Sequence, residues 1–392
     1  MSDPVVIVSA VRTPMGAMTG SLSSLAAHEL GSVAIRAALE KAGVKPEQVD
    51  EVLMGNVLQA GQGQAPARQA ALGAGLPSSA PCTTVHKVCG SGMKTAMMGH
   101  DMLKAGSADI VVAGGQESMS NAPYLLLKAR TGYRFGDSKV YDHMTLDGLE
   151  DAYTHQPMGL FAEATVDKYG FSREDQDAFA IESLRRANAA IAEGSFKAEI
   201  APVTIKGRKG DTVVDTDEAP GRAMPEKIPG LRPAFKKDGS VTAANSSSIS
   251  DGAAAMVLMR ESTAKELGVK PLAKIVGHTQ HAQAPEWFTT APVGAIEKLM
   301  KKTGWSIADV DLFEINEAFA VVTMAAMKDL DLPHDKVNVY GGATALGHPI
   351  GASGARIVTT LLNALQQKGG KRGVASLCIG GGEAVAMAIE LV

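Results

Sequence analysis

Cys89 lies in the segment HKVCGSGMKT, between an apparent strand or loop and a predicted helix. The glycines Gly90 and Gly92 would let the backbone turn sharply and approach a ligand closely. A thiol at the amino terminus of a helix lies in a positive local field, which lowers its pKa and favours the nucleophilic thiolate. The segment therefore predicts a nucleophilic cysteine, and a buried structural cysteine is the competing interpretation.

His348 stands in a loop with five glycines between Gly341 and Gly354, just before a predicted helix that begins at Ser353. A histidine in such a loop can reach a bound ligand, and imidazole is the natural base for activating a thiol. An ordinary surface histidine is the alternative, but the density of glycines favours a functional role.

Cys378 ends an apolar strand and precedes Gly380, Gly381 and Gly382 in the segment SLCIGGGEA. Backbone N–H groups in such a run can form an anion-binding nest or an oxyanion hole. A phosphate cradle is the rival interpretation, yet the run precedes a second strand and not a helix, which argues against a dinucleotide fingerprint. The chain also contains no GxxxxGK[ST] motif, so we expect no P-loop.

Asn316 follows the predicted strand VDLFEI, at a strand end where α/β folds place ligands. Its amide could hold an oxyanion or a water, and it could equally cap the helix that follows. Cys82, in PCTTV, lacks any such context, and we predict a small structural residue in a strand.

The elements that must position these residues alternate between apolar runs and helical patterns. We predict strands or buried apolar runs at residues 4–9, 52–58, 109–113, 310–315, 373–377 and 384–391. We predict helices at residues 28–42, 92–105, 172–193, 293–302, 318–329 and 353–368. Ser172 and Asp175 form a capping-box-like start for one of them. This alternation favours an α/β fold with a largely parallel sheet.

Two segments of this pattern match in detail. One begins at Ser91 and the other at Ser353, and each runs through Ser-Gly, a helix, a glycine stop, a β-branched strand and a glycine cluster. Their separation of about 260 residues is too long for a solenoid and predicts an internal duplication. Chance similarity between two such units is the alternative.

Composition narrows the class of protein. The chain has 392 residues, which predicts two to three domains at about 150 residues each. With 38 basic and 42 acidic residues it carries a net charge of -4, so we expect no nucleic-acid partner. Three cysteines make no disulfide framework, and their spacing fits no zinc site. We find no apolar run of 18 or more residues and no secretory signal, and free thiols favour a reducing compartment, so we expect no membrane association and a cytoplasmic protein.

Four segments together resemble the thiolase family in order and spacing: CGSG at Cys89, NEAF at Asn316, GHPIGASGAR at His348 and CIGGG at Cys378. VRTPMG, GGQESMS and TAANSSSISDGAAA are also similar to that family, so the resemblance covers essentially the whole chain. It implies Claisen condensation of two acetyl-CoA molecules to acetoacetyl-CoA and CoA, and the reverse thiolysis. Coenzyme A thioesters would be substrates, with no cofactor and no metal.

The resemblance also implies a fold. Two similar αβ halves, each with a five-stranded mixed sheet, would pack in five layers, αβαβα. The first half would comprise residues 1–118 and 251–270, and the second would comprise residues 271–392. Residues 119–250 would form a loop domain that covers coenzyme A. Residues 123–143 look like the tetramerising loop of the family, so we expect a homotetramer built as a dimer of dimers.

For the catalytic residues, the resemblance implies the following roles. Cys89 would take the acyl group as a thioester. His348 would accept its proton and then help to hold the thioester oxygen of the second substrate, beside a water positioned by Asn316. Cys378 would be the general acid or base. The backbone N–H groups of Cys89 and Gly380 would form a second oxyanion hole.

For substrate binding, the resemblance implies that Ser247 lies near the pantetheine chain. The other matching positions line the pantetheine and acyl pocket and are Leu149, Met158, Phe235, Ala318 and Phe319. Arg208 and Lys209 could meet the nucleotide phosphates, or could simply form a solvated turn.

Some positions depart from short-chain biosynthetic thiolases. Pro157 replaces a usual histidine, FAEA stands in place of TAEN, and Phe288 stands where many members have methionine. Phe288 and TAAN resemble mitochondrial-type acetoacetyl-CoA thiolases, and a bulky Phe288 in the pocket should disfavour long chains. The alternatives are a degradative 3-ketoacyl-CoA thiolase of broader chain length in β-oxidation and a CoA-binding protein of this fold without catalysis. Cys378 argues against a ketoacyl synthase.

Overall fold

The computed structural model describes residues 3–392 and consists of alternating strands and helices. The strands are β1 (Val5–Arg12), β2 (Gly16–Ala17), β3 (Glu51–Gly55), β4 (Cys82–Val85), β5 (Ile110–Ser118), β6 (Tyr124–Leu125), β7 (Tyr141–Asp142), β8 (Val203–Ile205), β9 (Thr212–Val214), β10 (Ser250–Arg260), β11 (Ala273–Ala282), β12 (Leu312–Ile315), β13 (Arg372–Ile379) and β14 (Glu383–Leu391). The α-helices are α1 (Ala27–Ala42), α2 (Pro66–Gly73), α3 (Ser91–Ala105), α4 (Met158–Tyr169), α5 (Arg173–Glu193), α6 (Glu218–Arg222), α7 (Glu261–Leu267), α8 (Ala291–Thr303), α9 (Ala320–Asp329), α10 (Ala343–Leu346) and α11 (Ser353–Lys368).

The strand pairings repeat the same topology twice. The order β3-β5-β10-β1 in the first half corresponds to β12-β13-β14-β11 in the second, and β4 pairs with β3 at the outer edge of the first half. The halves are joined by a short antiparallel pairing of β1 with β11 at Val6 and Ile7. In both halves the outer strands of the sheet pair in parallel and the strands nearer its centre pair antiparallel. The prediction of a largely parallel sheet is therefore wrong, since most pairings are antiparallel. A single parallel bridge between Phe313 and Val337 occupies the place that β4 holds in the first half. The matched topology favours duplication over chance similarity.

Side-chain alternation along the strands builds the layers. Val5 and Ile7 of β1 join a buried cluster with α3 and α11, whereas Val6 and Val8 join a cluster with α1 and α2 on the other face. Successive side chains of a strand point to opposite faces, so one sheet can bury both. A third cluster packs α8 against β12, β13 and β14. The helices α3 and α11 therefore lie in the middle, between the two halves of the sheet.

The first turns of the two central helices touch through their backbones. A Cβ on Gly92 would lie 2.8 Å from the amide nitrogen of Ala355, and a Cβ on Gly354 would collide with the amide of Met93. Only glycine permits helices to approach so closely. The loops that precede the two helices, one with Cys89 and one with His348, are thereby brought to the same place.

Most predicted elements are observed with small shifts at their ends. The helix predicted at residues 353–368 has those ends, and Gly43 and Gly106 end α1 and α3 in the left-handed conformation. Ser172 caps α5 by accepting a 3.0 Å hydrogen bond from the amide of Asp175.

Two predicted ends differ for reasons that the structure supplies. The apolar run at residues 52–58 leaves the strand after Gly55, because the amides of Val57 and Leu58 donate to the carboxylate of Glu117. The helix predicted from Ala318 begins at Ala320, since the amide of Ala320 donates to the carbonyl of Asn245. Competing hydrogen bonds therefore shorten both elements.

The long segment between β5 and β10 leaves the sheet and returns to it at adjacent positions. Ser118 at the end of β5 is paired with Asp251 in β10. The segment between them contains α4, α5 and α6 and the small hairpins β6–β7 and β8–β9. It thus crosses over the core without adding a strand to the main sheet. Within residues 3–392, no helix combines the length and apolar character needed to cross a bilayer.

Candidate active site

The Cys89 loop makes a tight turn between β4 and α3. Val88 has a φ of +44°, in the left-handed region that β-branched residues rarely adopt. The hydroxyl of Ser91 accepts from the amide of Lys87 at 2.8 Å and donates to the carbonyl of Val88 at 2.6 Å, which holds this conformation. Gly90 is required here because a Cβ would collide with Ile379, the neighbour of the second cysteine.

The thiol of Cys89 is not a ready thiolate. Burial raises the thiol pKa to about 11, and the backbone N–H groups of Gly380 and of Cys89 itself, which favour the thiolate, offset only part of this effect. The prediction that the start of α3 lowers this pKa is therefore wrong, since desolvation of the anion exceeds the stabilisation that the backbone supplies. A base must remove the proton.

His348 is buried and held as the neutral imidazole. Its Nδ1 lies 2.5 Å from the hydroxyl of Ser353, and that hydroxyl donates to the carbonyl of Pro349 at 2.9 Å. Because the Ser353 proton is already used, Nδ1 carries a proton and Nε2 keeps a free lone pair. Burial, followed by the positive charge of Arg356, lowers the pKa of His348 to about 3. The alternative of an ordinary surface histidine is wrong, because the side chain is enclosed.

Asn316 is fully buried beside His348. Its Oδ1 accepts from Arg356 at 3.4 Å, so its Nδ2 faces His348 Nε2 at 3.5 Å. Arg356 in turn donates to Glu314 at 2.8 Å. The capping alternative is wrong, since α9 begins at Ala320 and not directly after Asn316. Arg356 was missed in the sequence, although it ends the motif GHPIGASGAR.

Cys378 is buried at the end of β13, close enough to Cys89 for the two thiols to influence each other. Burial, and then a negative charge on Cys89, raise the pKa of Cys378 well above its usual value. The glycine loop after it turns through Gly381 and Gly382, whose φ angles are +92° and +93°. An ion pair between Lys87 and Glu383 ties this loop to the Cys89 loop.

The predicted pocket residues divide into two groups around the thiols. One apolar cluster contains Cys378. The predicted pocket residues that belong to this cluster are Met158, Phe235, Phe288, Ala318 and Phe319. Leu149 packs in another cluster, which contacts Cys89. Ser247 adjoins the first cluster, because its amide donates to the carbonyl of Ala318 at 2.9 Å. Pro157 is exposed at the start of α4.

A groove of about 660 Å³ lies between the segment that joins β5 to β10 and the residues around Met18 and Ala345. Its apolar floor includes Leu184 and Ile228, and its cations are Arg222 and Lys227. It reaches Ser248, whose carbonyl accepts from the amide of His348 at 3.0 Å. Arg208 and Lys209 do not line this groove and are exposed in the turn between β8 and β9. Their exposure fits the solvated turn that is the alternative interpretation for these two residues.

Comparison with known families places the chain. Residues 5–262 match the family described as "Thiolase, N-terminal domain", and residues 269–391 match "Thiolase, C-terminal domain". The chain belongs to the thiolase family, as its motifs predicted.

Its relatives match over the full length. It is 52% identical to the acetyl-CoA acetyltransferase of Cupriavidus necator over 392 residues, which covers 100% of both chains. It is 53% identical to acetyl-CoA acetyltransferase 2 of Arabidopsis thaliana over 390 residues, which covers 99% of this chain and 97% of that one.

Two solved structures share the fold. The Bacillus anthracis acetyl-CoA acetyltransferase superimposes with a TM-score of 0.97 at 43% identity, covering 100% of this chain and 99% of that one. The Acat5 thiolase from Ascaris suum in complex with coenzyme A superimposes with a TM-score of 0.94 at 44% identity, covering 99% and 100%. The prediction of the thiolase fold is confirmed.

Proposed function

We propose that this thiolase is an acetyl-CoA acetyltransferase, which condenses two acetyl-CoA molecules to acetoacetyl-CoA and CoA and catalyses the reverse thiolysis. One observation carries the proposal. Two thiols of raised pKa lie close to each other, and the start of α11, which holds the neutral imidazole of His348 through Ser353, packs against the start of α3 after Cys89. Each thiol thus holds its proton until a partner accepts it, as acid–base chemistry on a weakly acidic thioester requires. The names of the relatives agree with this activity.

In the first half-reaction, Cys89 attacks the carbonyl carbon of acetyl-CoA while Nε2 of His348 accepts the thiol proton. The bond from that carbon to the coenzyme A sulfur breaks, and Cys378 protonates the leaving thiolate. The products are acetyl-Cys89, free CoA, a Cys378 thiolate and protonated His348. The N–H groups of Cys89 and Gly380 stabilise the transient oxyanion, each by about 3 kcal/mol.

In the second half-reaction, the Cys378 thiolate removes an α-proton from a second acetyl-CoA. The enolate carbon attacks the acetyl group, the bond to Cys89 breaks, and His348 returns its proton to the departing sulfur. The enolate oxygen would lie between protonated His348 and a water held by Asn316. Burial makes protonated His348 unfavourable in this site. The negative enolate oxygen beside it offsets that cost and stabilises the imidazolium.

For binding, we propose that the groove over the segment receives the body of coenzyme A, with Ser247 beside the pantetheine. Its apolar floor suits the pantetheine chain, and Arg222 and Lys227 supply charge for the phosphates. The cluster around Cys378, with Phe288 buried in it, would receive the acyl group and disfavour long chains. No cofactor beyond these substrates is needed for the steps above.

We also propose the domain division and assembly that the family implies. The halves would comprise residues 1–118 with 251–270 and residues 271–392, and the loop domain residues 119–250. The β6–β7 region supports a homotetramer, since it exposes Leu126 and Leu127 and leaves Phe135 fully exposed. We also propose a cytoplasmic location, because the three cysteines are free thiols.

The test is incubation with acetyl-CoA followed by peptide mass spectrometry. We expect an acetyl group on the Cys89 peptide and none on the Cys82 peptide, which serves as the internal control. Folded protein that carries no acetyl group at Cys89 would contradict the mechanism. Thiolysis rates with acetoacetyl-CoA and with a medium-chain 3-ketoacyl-CoA then separate an acetoacetyl-CoA enzyme from a degradative thiolase of broad chain length.

A further inference from the structure

A second polar cluster lies at the far end of α3 from Cys89 and has no part in the chemistry above. His100 and Asp101 project from the last turns of α3, and His278 projects from β11 of the other half. Among residues 3–392, this is the one group of three His, Cys, Asp or Glu side chains whose ligand atoms converge on one point.

The three ligand atoms lie almost equally far apart. His278 Nε2 is 3.2 Å from His100 Nδ1 and 3.0 Å from Asp101 Oδ1. His100 Nδ1 and Asp101 Oδ1 are themselves 3.0 Å apart. A divalent cation about 2.0–2.2 Å from each ligand would separate the ligands by about 2.8–3.1 Å in octahedral geometry and by about 3.3–3.6 Å in tetrahedral geometry. The observed separations lie closest to the octahedral values. The triangle already has the dimensions of one face of a coordination polyhedron.

Hydrogen bonds alone cannot satisfy the three polar atoms of this cluster at the same time. Both imidazole nitrogens point at the same Asp101 oxygen and also at each other. If both nitrogens carry protons, two N–H groups face each other, and if one does not, its lone pair faces the carboxylate. A cation would accept lone pairs from all three groups at once.

The backbone and the surroundings also favour a built site. The pairing of β11 with β14 shifts register between Ile275 and Gly277, immediately before His278, and such bulges commonly re-aim a side chain. His278 and His100 are largely enclosed, whereas Asp101 has 64% side-chain exposure, which leaves an entry path and room for water ligands. The charged groups nearby are Lys104 and Lys302, which weaken cation binding without occupying the triangle.

We propose that His100, Asp101 and His278 form a binding site for a borderline divalent cation such as Zn²⁺. Two imidazoles and one carboxylate are a ligand set that suits Zn²⁺, with solvent completing the shell. Because α3 and β11 belong to different halves of the duplicated core, the bound ion would tie the halves together and stabilise the folded state.

The test is zinc titration of chelator-treated protein in competition with a chromophoric chelator, in a Cys89→Ser background that removes the active-site thiol most accessible to zinc. We expect one equivalent of Zn²⁺ to bind, the thermal unfolding midpoint to rise with zinc concentration, and zinc-edge X-ray absorption to show nitrogen and oxygen ligands without sulfur. Asp101→Asn and His278→Gln should each weaken binding by at least about tenfold.

The control is His155→Ala, which removes an exposed histidine that also pairs with a carboxylate, Glu150. It should bind zinc like the parent protein. Asp101 is largely exposed, so Asp101→Asn should fold even if His278→Gln does not. Unchanged affinity in Asp101→Asn, absence of zinc binding in the parent, or sulfur in the ligand shell would overturn the proposal.

Discussion

Nδ1 of His348 lies 2.5 Å from the hydroxyl of Ser353, which itself donates to a backbone carbonyl. Ser353 therefore acts on His348 in two ways. It fixes the tautomer that leaves Nε2 free, and it holds the ring at the start of α11. We classify Ser353 as a positioning residue, since it acts on the reaction only through the imidazole.

Ser353→Ala should lower kcat by about 5- to 150-fold, because the buried Nδ1–H would lose its partner at a cost of about 1–3 kcal/mol. Thiolysis of acetoacetyl-CoA by the purified variant measures this. Ser32→Ala is the matched control, since Ser32 also bonds a helix carbonyl but lies far from the thiols in α1. Equal losses in both variants would show that the effect is structural.

The raised pKa of Cys89 predicts a specific pH profile of alkylation. The thiolate fraction, and with it the rate of modification by iodoacetamide at Cys89, should keep rising with pH toward about 11. A plateau near the ordinary thiol value of about 8.5 would contradict this. Mass spectrometry of the Cys89 peptide at each pH provides the rate.

Arg356→Met should raise the pKa of His348 above its value of about 3, because the neighbouring positive charge disfavours the imidazolium. A raised pKa means that His348 protonates at higher pH, so the acid limb of kcat/KM should move upward. Burial raises the pKa of Glu314 and Arg356 lowers it, so removal of Arg356 raises that pKa further and lets Glu314 hold a proton, which limits the loss of folding stability.

Arg356→Lys is the control for this prediction, because it keeps the charge and loses the planar hydrogen-bonding group. Its acid limb should stay where it is in the parent protein, even if kcat falls. Coincident acid limbs in the parent and in Arg356→Met would show that Arg356 does not set the proton affinity of His348.

Much of this architecture could be predicted because glycine and periodicity act locally. The bounds of α11 and the cap of α5 follow from residues within a few positions, and the motifs marked Cys89, Asn316, His348 and Cys378, which the fold does bring together. The duplication marked both Ser-Gly helix starts in the sequence, whereas their contact through Gly92 and Gly354 emerged only from the structure.

The parts that could not be predicted depend on distant contacts. Desolvation of Cys89 by the surrounding core reverses the pKa direction that its place before α3 indicates. Arg356 reaches Asn316 across the interior, and no spacing rule foretells that contact. The groove cation Arg222 was not found from the sequence either, since nothing local distinguishes it from Arg208 before the segment folds over the core.

The size of Phe288 should limit the acyl chain length of the substrates that the enzyme accepts. Its ring is buried in the cluster with Cys378, where it meets Phe161 edge-on with ring centroids 6.3 Å apart. Phe288→Leu should create space there, so the ratio of medium-chain to acetoacetyl-CoA thiolysis should rise. Phe179→Leu removes a buried ring from α5 outside this cluster and should leave the ratio unchanged. A ratio that is equal in both variants would place Phe288 outside the acyl pocket.

Two substitutions at Gly380 can separate the role of its backbone N–H from the effect of added side-chain volume. A Cβ at this position would meet Met158 at 3.4 Å, an ordinary contact, so Gly380→Ala should fold and retain most activity. Gly380→Pro removes the N–H that lowers the pKa of Cys89 and that we propose as an oxyanion donor, and it should lower kcat by about 100- to 1000-fold, as loss of one oxyanion donor does. The same change should slow alkylation of Cys89 at fixed pH, because that N–H stabilises the thiolate. If Gly380→Pro matches Gly380→Ala in kcat and alkylation rate at an equal thermal midpoint, the N–H of Gly380 is not part of the oxyanion hole.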